Sequence, residues 1–163
     1  MAAKSTSVHS KYSGVIVSKY EMRKLRDHLD VKLKDLLNVI VTQFTYLGEE
    51  AVKIAREKGS YMDVTGNLRS SIGYCILVNG EPVVNGKTEK FEGKQGDGSE
   101  GAAASAALLG KLKSKYPRGV VLIVCAGMNY AAYVEHVRHK DVLTSAELRA
   151  EELVNKFLGS ITE

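Results

Sequence analysis

Asp63-Val64-Thr65-Gly66-Asn67-Leu68-Arg69-Ser70-Ser71-Ile72 is the stretch at which one periodicity of the chain gives way to another. Asp63 or Thr65 offers a side-chain oxygen to the free N–H groups of a single helical turn, Gly66 to Ser70. From Ile72 to Val78 the residues are β-branched or aromatic, which suits a half-buried pleated strand. Asn79-Gly80 then favours the tight turn whose twist matches that of paired strands. Val83 and Val84 should therefore return antiparallel, with Pro82 limiting how early pairing begins. A capped turn feeding a β-hairpin is the nucleus of the expected fold.

Upstream, from about Glu21 to Lys58, Leu25, Leu29, Leu33, Leu36, Ile40, Phe44, Leu47, Ala51 and Ile54 recur at three- and four-residue steps, the mark of one helix face. Unbroken, that helix would run roughly 57 Å, against ~30 Å for a small domain. Either it breaks near Asp30 or Gly48, or part of its stripe packs on a neighbouring subunit. Gly59 is expected to end it in the left-handed conformation. Residues 1 to 18, with only Val15-Ile16-Val17 as an apolar patch, read as a flexible arm that orders against something else. Residues 19 to 163 read as one domain.

Downstream, residues 86 to 101 are polar and glycine-rich, and read as a mobile loop whose lone aromatic, Phe91, is a contact candidate. Ala102 to Lys115 is an alanine-rich helix stopped at Tyr116-Pro117. Gly119 to Ala126 is continuously apolar, the pattern of a strand buried on both faces at the centre of a sheet. Thr144-Ser145-Ala146-Glu147 has the form of a capping box, with Leu143 and Leu148 spaced as a hydrophobic staple. Ala146, Ala150, Leu153, Val154, Phe157 and Leu158 would form the buried face of the closing helix. The expected class is α+β: a long N-terminal helix and a C-terminal helix packed on a small, mainly antiparallel sheet.

At 163 residues with 44% apolar and 26% charged, the chain can build a core without disulfide or metal. Its apolar runs fall well short of the ~20 residues that cross a bilayer, and its first residues lack a secretory core, so synthesis in the cytoplasm is expected. Cys75 and Cys125 each lie in an apolar run and read as buried thiols. The net charge of +4 is N-terminal: residues 1 to 35 hold eight Lys or Arg against four Asp or Glu, and the remainder balances at fifteen of each. Lys19, Arg23, Lys24 and Arg26 could face nucleic acid or an acidic protein surface, although a solvated face is the commoner outcome.

Chemistry is sparse. Glu135, His136 and His139 are close in sequence, but two histidines at i and i+3 without a glutamate between them are not the zinc-peptidase arrangement. Cys125 with His136 is the one pair that could serve a thiol hydrolase. Phosphate loop, dinucleotide fingerprint and nucleophile elbow are all missing from the sequence, so no catalytic residue, metal or cofactor is expected. Tyr20, Phe44, Tyr46, Tyr74, Tyr130 and Tyr133 fall within apolar patterns and read as core.

A long helix, a Thr65-Gly66-Asn67-Leu68-Arg69 turn opening a strand, an Asn129-Tyr130-Ala131-Ala132-Tyr133-Val134-Glu135-His136 segment after an apolar strand, and a closing helix follow one another in that order. The order resembles that of the HK ninety-seven gp-ten-like family of tailed-phage neck and tail-completion proteins, over roughly residues 20 to 160. The chain departs from that family at His136-Val137 and in a longer 86 to 101 loop. The resemblance implies a non-enzymatic virion protein at the head–tail junction, made in the host cytoplasm. It would form a ring of identical copies between capsid connector or head-closure protein and tail-tube or tail-terminator protein, with packaged DNA passing through and no membrane involved. Arg69 and Glu135, within the matching segments, are candidates for an ion pair inside the fold or between subunits. The alternatives are a nucleic-acid-binding module built on the basic N-terminal region and, more remotely, a Cys–His hydrolase.

Overall fold

The computed structural model describes residues 22–86 and 89–162. Lys19, Tyr20 and the arm at 1 to 18 lie outside them. Among the described residues, five helices and three strands follow in the order α1 (Met22–Glu57), α2 (Asn67–Ser70), β1 (Ile72–Val78), β2 (Glu81–Asn85), α3 (Ser99–Lys113), β3 (Val120–Ala126), α4 (Ala131–His136) and α5 (Thr144–Thr162). The chain divides into two compact units, Met1–Val39 and Ile40–Glu163, so the boundary falls inside α1.

In the larger unit the fold is α+β, with the long N-terminal helix and the C-terminal helix packed on a small antiparallel sheet. Strand order is β2-β1-β3, both pairings antiparallel. The hairpin forms where Asn79-Gly80 predicts it, with φ of 52° and 85° at the two turn residues, the positive pair that a tight hairpin turn requires. Because side chains alternate across a strand, β1 serves two cores. Ile72, Tyr74 and Ile76 join Ala51, Val52 and Ile54 of α1 and Ala146 of α5, while Cys75 and Leu77 join Ile123, Leu109 and Leu112 under α3. Flanked by β2 and β3, β1 is the central strand, and both of its faces are buried.

That place was expected for β3, which instead lies at an edge with most of its residues half-buried. A continuously apolar run cannot distinguish a strand flanked on two sides from one covered on two faces, and here only the faces are covered. Asn79 N–H bonds Gly119 O, and Gly127 N–H bonds Ser71 O. Those closures set the alternation of the ladder: Val121, Ile123 and Cys125 point their backbone groups at β1. Val120, Leu122, Val124 and Ala126 point theirs outward, and no described residue bonds them. The opposite edge is protected, since β2 carries Glu81 and Pro82 beside a bulge at Ile76/Leu77.

Helix α1 is unbroken through both Asp30 and Gly48. Gly48 is there for space, because a Cβ at that position would overlap the ring of Tyr74. Gly59 has a similar reason rather than a left-handed φ: the Tyr61 ring lies against it, with the Tyr61 hydroxyl donating to Ala55 O at 3.1 Å. The start of α5 also differs from expectation. Thr144 does not cap Glu147; its Oγ1 donates to Glu135 Oε1 at 2.7 Å, and Glu147 N–H bonds Leu143 O. Leu148 is 63% exposed, so the staple with Leu143 is not made. Leu158 is exposed as well, which leaves Ala146 as the buried anchor and Ala150, Leu153, Val154 and Phe157 half-buried.

Candidate functional site

The Asp63–Ile72 turn is built as its residue types suggest. The Asp63 carboxylate accepts the N–H groups of Leu68 and Arg69, both at 3.2 Å, and Gly66 takes φ of 75°. The described part of the glycine-rich segment, expected to be a mobile loop, is tied to this turn. Phe91 N–H donates to Ser70 Oγ at 2.8 Å, Gln95 N–H to Val64 O at 3.0 Å, and Gly93 bridges Gly96. A Cβ on Gly93 would overlap the backbone at Val64 to Gly66, so glycine serves close backbone approach here. Helix α3 starts at Ser99, ahead of the expected Ala102, with Asp97 Oδ1 accepting the Ser99 N–H and hydroxyl.

Phe91 is the centre of this junction. The Arg56 guanidinium lies 5.0 Å and that of Arg69 5.7 Å from the ring centroid, within cation–π range. Arg56 is only 9% exposed; it donates to Glu89 Oε2 at 2.7 Å and to Ile72 O at 2.9 Å. Burial draws its pKa down, against the pull of Glu89 and Tyr61. Burial likewise raises the Tyr61 phenol, with the Arg69 guanidinium opposing. The Nε atoms of Arg56 and Arg69 are buried and find no acceptor among the described residues. A cavity of about 640 Å³ opens beside them, lined by Lys53, Arg56 and Arg69 but equally by Glu49, Glu57 and Glu89. With three cations against three carboxylates it is not a phosphate cradle.

Glu135 and Arg69 do not meet within the chain. Glu135 accepts hydrogen bonds from Leu143 N–H at 3.0 Å, Thr144 N–H at 2.8 Å and the Thr144 hydroxyl, and so caps α5 from outside the helix. Burial works against its ionised form, but the Thr144 side chain and the N–H groups of Leu143, Thr144 and Val142 outweigh it and hold the carboxyl below its ordinary pKa. Nothing in the spacing of Glu135 and Thr144 signals this, because a capping residue normally lies at the helix start itself.

A second cavity, about 760 Å³, is apolar. Phe44 and Ala51 of α1, Val120, Leu122 and Val124 of β3, and Leu143, Ala146, Ala150 and Val154 of α5 line it, with Glu147 and Glu151 alongside. No protein-family model matches this chain, and no curated protein or solved structure matches it significantly. The site must therefore be read from its own geometry.

Cys125 is buried, and its thiol is pushed up to about 11 by burial and, secondarily, by Cys75. A hydrolytic nucleophile needs the opposite shift. No cluster of three or more metal-ligating side chains occurs among the described residues. Arg23, Lys24 and Arg26 lie exposed in the first turns of α1, in company with Asp27 and Asp30. Tyr46, Tyr130 and Tyr133, expected in the core, are exposed; Tyr74 is buried and Phe44 half-buried. Most telling are the leucines. Leu25, Leu29, Leu33 and Leu36 are exposed, although they continue the same stripe as buried Leu47, Ala51 and Ile54.

Proposed function

We propose that this chain is a structural subunit of a tailed bacteriophage or prophage, acting at the head–tail junction as a neck or tail-completion protein that joins capsid connector to tail by assembling into a ring. One observation carries the assembly part: the apolar stripe of α1 runs on, exposed, for four leucines beyond the part buried in the core. A single chain gains nothing from a solvent-facing leucine stripe, whereas a subunit buries it on association. The place in the virion rests on the resemblance carried by Thr65 to Arg69 and Tyr130 to Glu135, in the order in which they occur.

Deleting the gene from the phage or prophage should leave filled heads and finished tails that fail to join, with complementation in trans restoring plaques; intact infectious virions in its absence would sink the reading. The nucleic-acid alternative draws on Arg23, Lys24 and Arg26 and predicts affinity that falls steeply with salt. Asp27 and Asp30 on the same turns weigh against it.

A further inference from the structure

The chain contains the tripeptide Val-Asn-Gly twice, at Val78-Asn79-Gly80 and Val84-Asn85-Gly86, and both asparagines are exposed. An asparagine before a glycine carries its own electrophile and nucleophile. Its side-chain amide carbon can close a small ring with the next backbone nitrogen, and glycine has no side chain to shield that nitrogen. The fold treats the two copies differently.

At the hairpin tip, residues 79 and 119 clamp each other. Asn79 N–H donates to Gly119 O at 2.8 Å, and Gly119 N–H donates to Asn79 Oδ1 at 3.1 Å. Only the amide oxygen can accept that N–H, so Nδ2 is turned away and bonds nothing among the described residues. The Gly80 N–H likewise has no acceptor among them. At the second copy, Lys113 Nζ donates to Asn85 Oδ1 at 3.2 Å, so this carbonyl is polarised too. Its nucleophile, however, is held: Gly86 N–H donates to Tyr74 O at 2.9 Å, and the Tyr74 ring lies so close that a Cβ on Gly86 would overlap it.

We propose that Asn79 is a site of spontaneous deamidation, through attack of Gly80 N on its side-chain amide, and that the fold spares Asn85. Hydroxide takes the Gly80 amide proton, the nitrogen bonds to Asn79 Cγ, and the carbonyl electron pair moves onto Oδ1. Gly119 N–H already points at that oxygen, where an oxyanion needs a donor. Collapse re-forms the carbonyl and breaks the Cγ–Nδ2 bond; the nitrogen leaves as ammonia with a proton from water, which returns the hydroxide. Water then opens the cyclic imide at either carbonyl, leaving aspartate or isoaspartate in place of Asn79. Aspartate before glycine still suits the hairpin turn. Isoaspartate routes the main chain through Cβ, lengthens the turn and pulls residue 79 off Gly119, so β2 loses its register on β1. The chemistry is the same whether or not the chain assembles.

The test ages the full-length protein at mildly alkaline pH, folded and in urea, and follows each asparagine by peptide mass spectrometry through the exchange of amide for carboxyl. In urea the shared Val-Asn-Gly context should give rates equal within about twofold. In the folded protein Asn79 should convert at least about tenfold faster than Asn85, the factor by which a hydrogen bond that must break first slows Gly86. Part of the product at position 79 should take a methyl label from an isoaspartyl methyltransferase.

Equal rates in the folded protein, or Asn85 converting first, would overturn the proposal. So would a folded chain in which neither residue converts while both do in urea, since the turn would then protect Asn79. A product at position 79 that is wholly aspartate would overturn the attack by Gly80 N, because direct hydrolysis of the amide yields no isoaspartate.

Discussion

The two parts of α1 share one stripe and meet opposite fates. Leu47 is 3% exposed and packed in the core, while Leu29 is 57% and Leu33 65% exposed, though all three are leucines at helical spacing on one continuous element. The difference teaches that periodicity reports a face that wants covering, and is silent on whether the cover belongs to the same chain. From Ala51 onward the cover is Tyr74, Ile76 and their neighbours on the sheet.

Truncating each half is the direct way to break that comparison. Leu47→Ala should cost the most, about 2–5 kcal/mol of folding stability by denaturant titration, because it leaves a cavity in a close-packed site. Gly48→Ala comes next. Helix propensity alone would favour alanine by about 1 kcal/mol, but the added Cβ meets the Tyr74 ring, so a net loss of about 1–3 kcal/mol is expected. A gain in melting temperature would show that the ring moves aside freely.

Glu135→Gln keeps an acceptor oxygen but loses the charge at the start of α5, and should cost about 0.3–1 kcal/mol. The folded pKa of Glu135 lies below the unfolded one, so its contribution is complete above the ordinary carboxylate pKa and is lost as pH falls through the folded value. Wild type and variant should thus converge in stability on acidification; a gap that widens in acid would contradict the cap. Smallest of all on stability is Leu29→Asp, expected to change unfolding by no more than about 0.5 kcal/mol while self-association collapses. Loss of folding comparable to that of Leu47→Ala would mean the exposed stripe is core after all.

Much of this fold was legible. Asn79-Gly80 specified its turn, the Ile72 to Val78 pattern its strand, and the capped turn before it formed around Asp63. What escaped was decided by tertiary neighbours. Val120 to Ala126 read as central because apolar content reports covered faces, whereas strand position depends on what lies beside it. Gly93 read as looseness, yet it is required by the backbone of Val64 to Gly66. Thr144 satisfied a local capping pattern and was taken instead by Glu135, nine residues away. The candidate surfaces were half legible: the leucine stripe was plain, but the apolar groove combines residues from α1, β3 and α5 that no linear spacing relates.

The outward-pointing backbone of β3 carries a further cost for the isolated chain. Val120-Val121-Leu122-Ile123-Val124-Cys125-Ala126 holds no charge, no proline and no glycine, the composition of segments that stack into cross-β fibrils when an edge is left open. Lys115 and Arg118 stand just ahead of it, where charged gatekeepers commonly slow such stacking. An open edge of this composition predicts that the purified protein gains thioflavin-positive aggregates on standing, and that a lysine placed at Leu122 slows their growth.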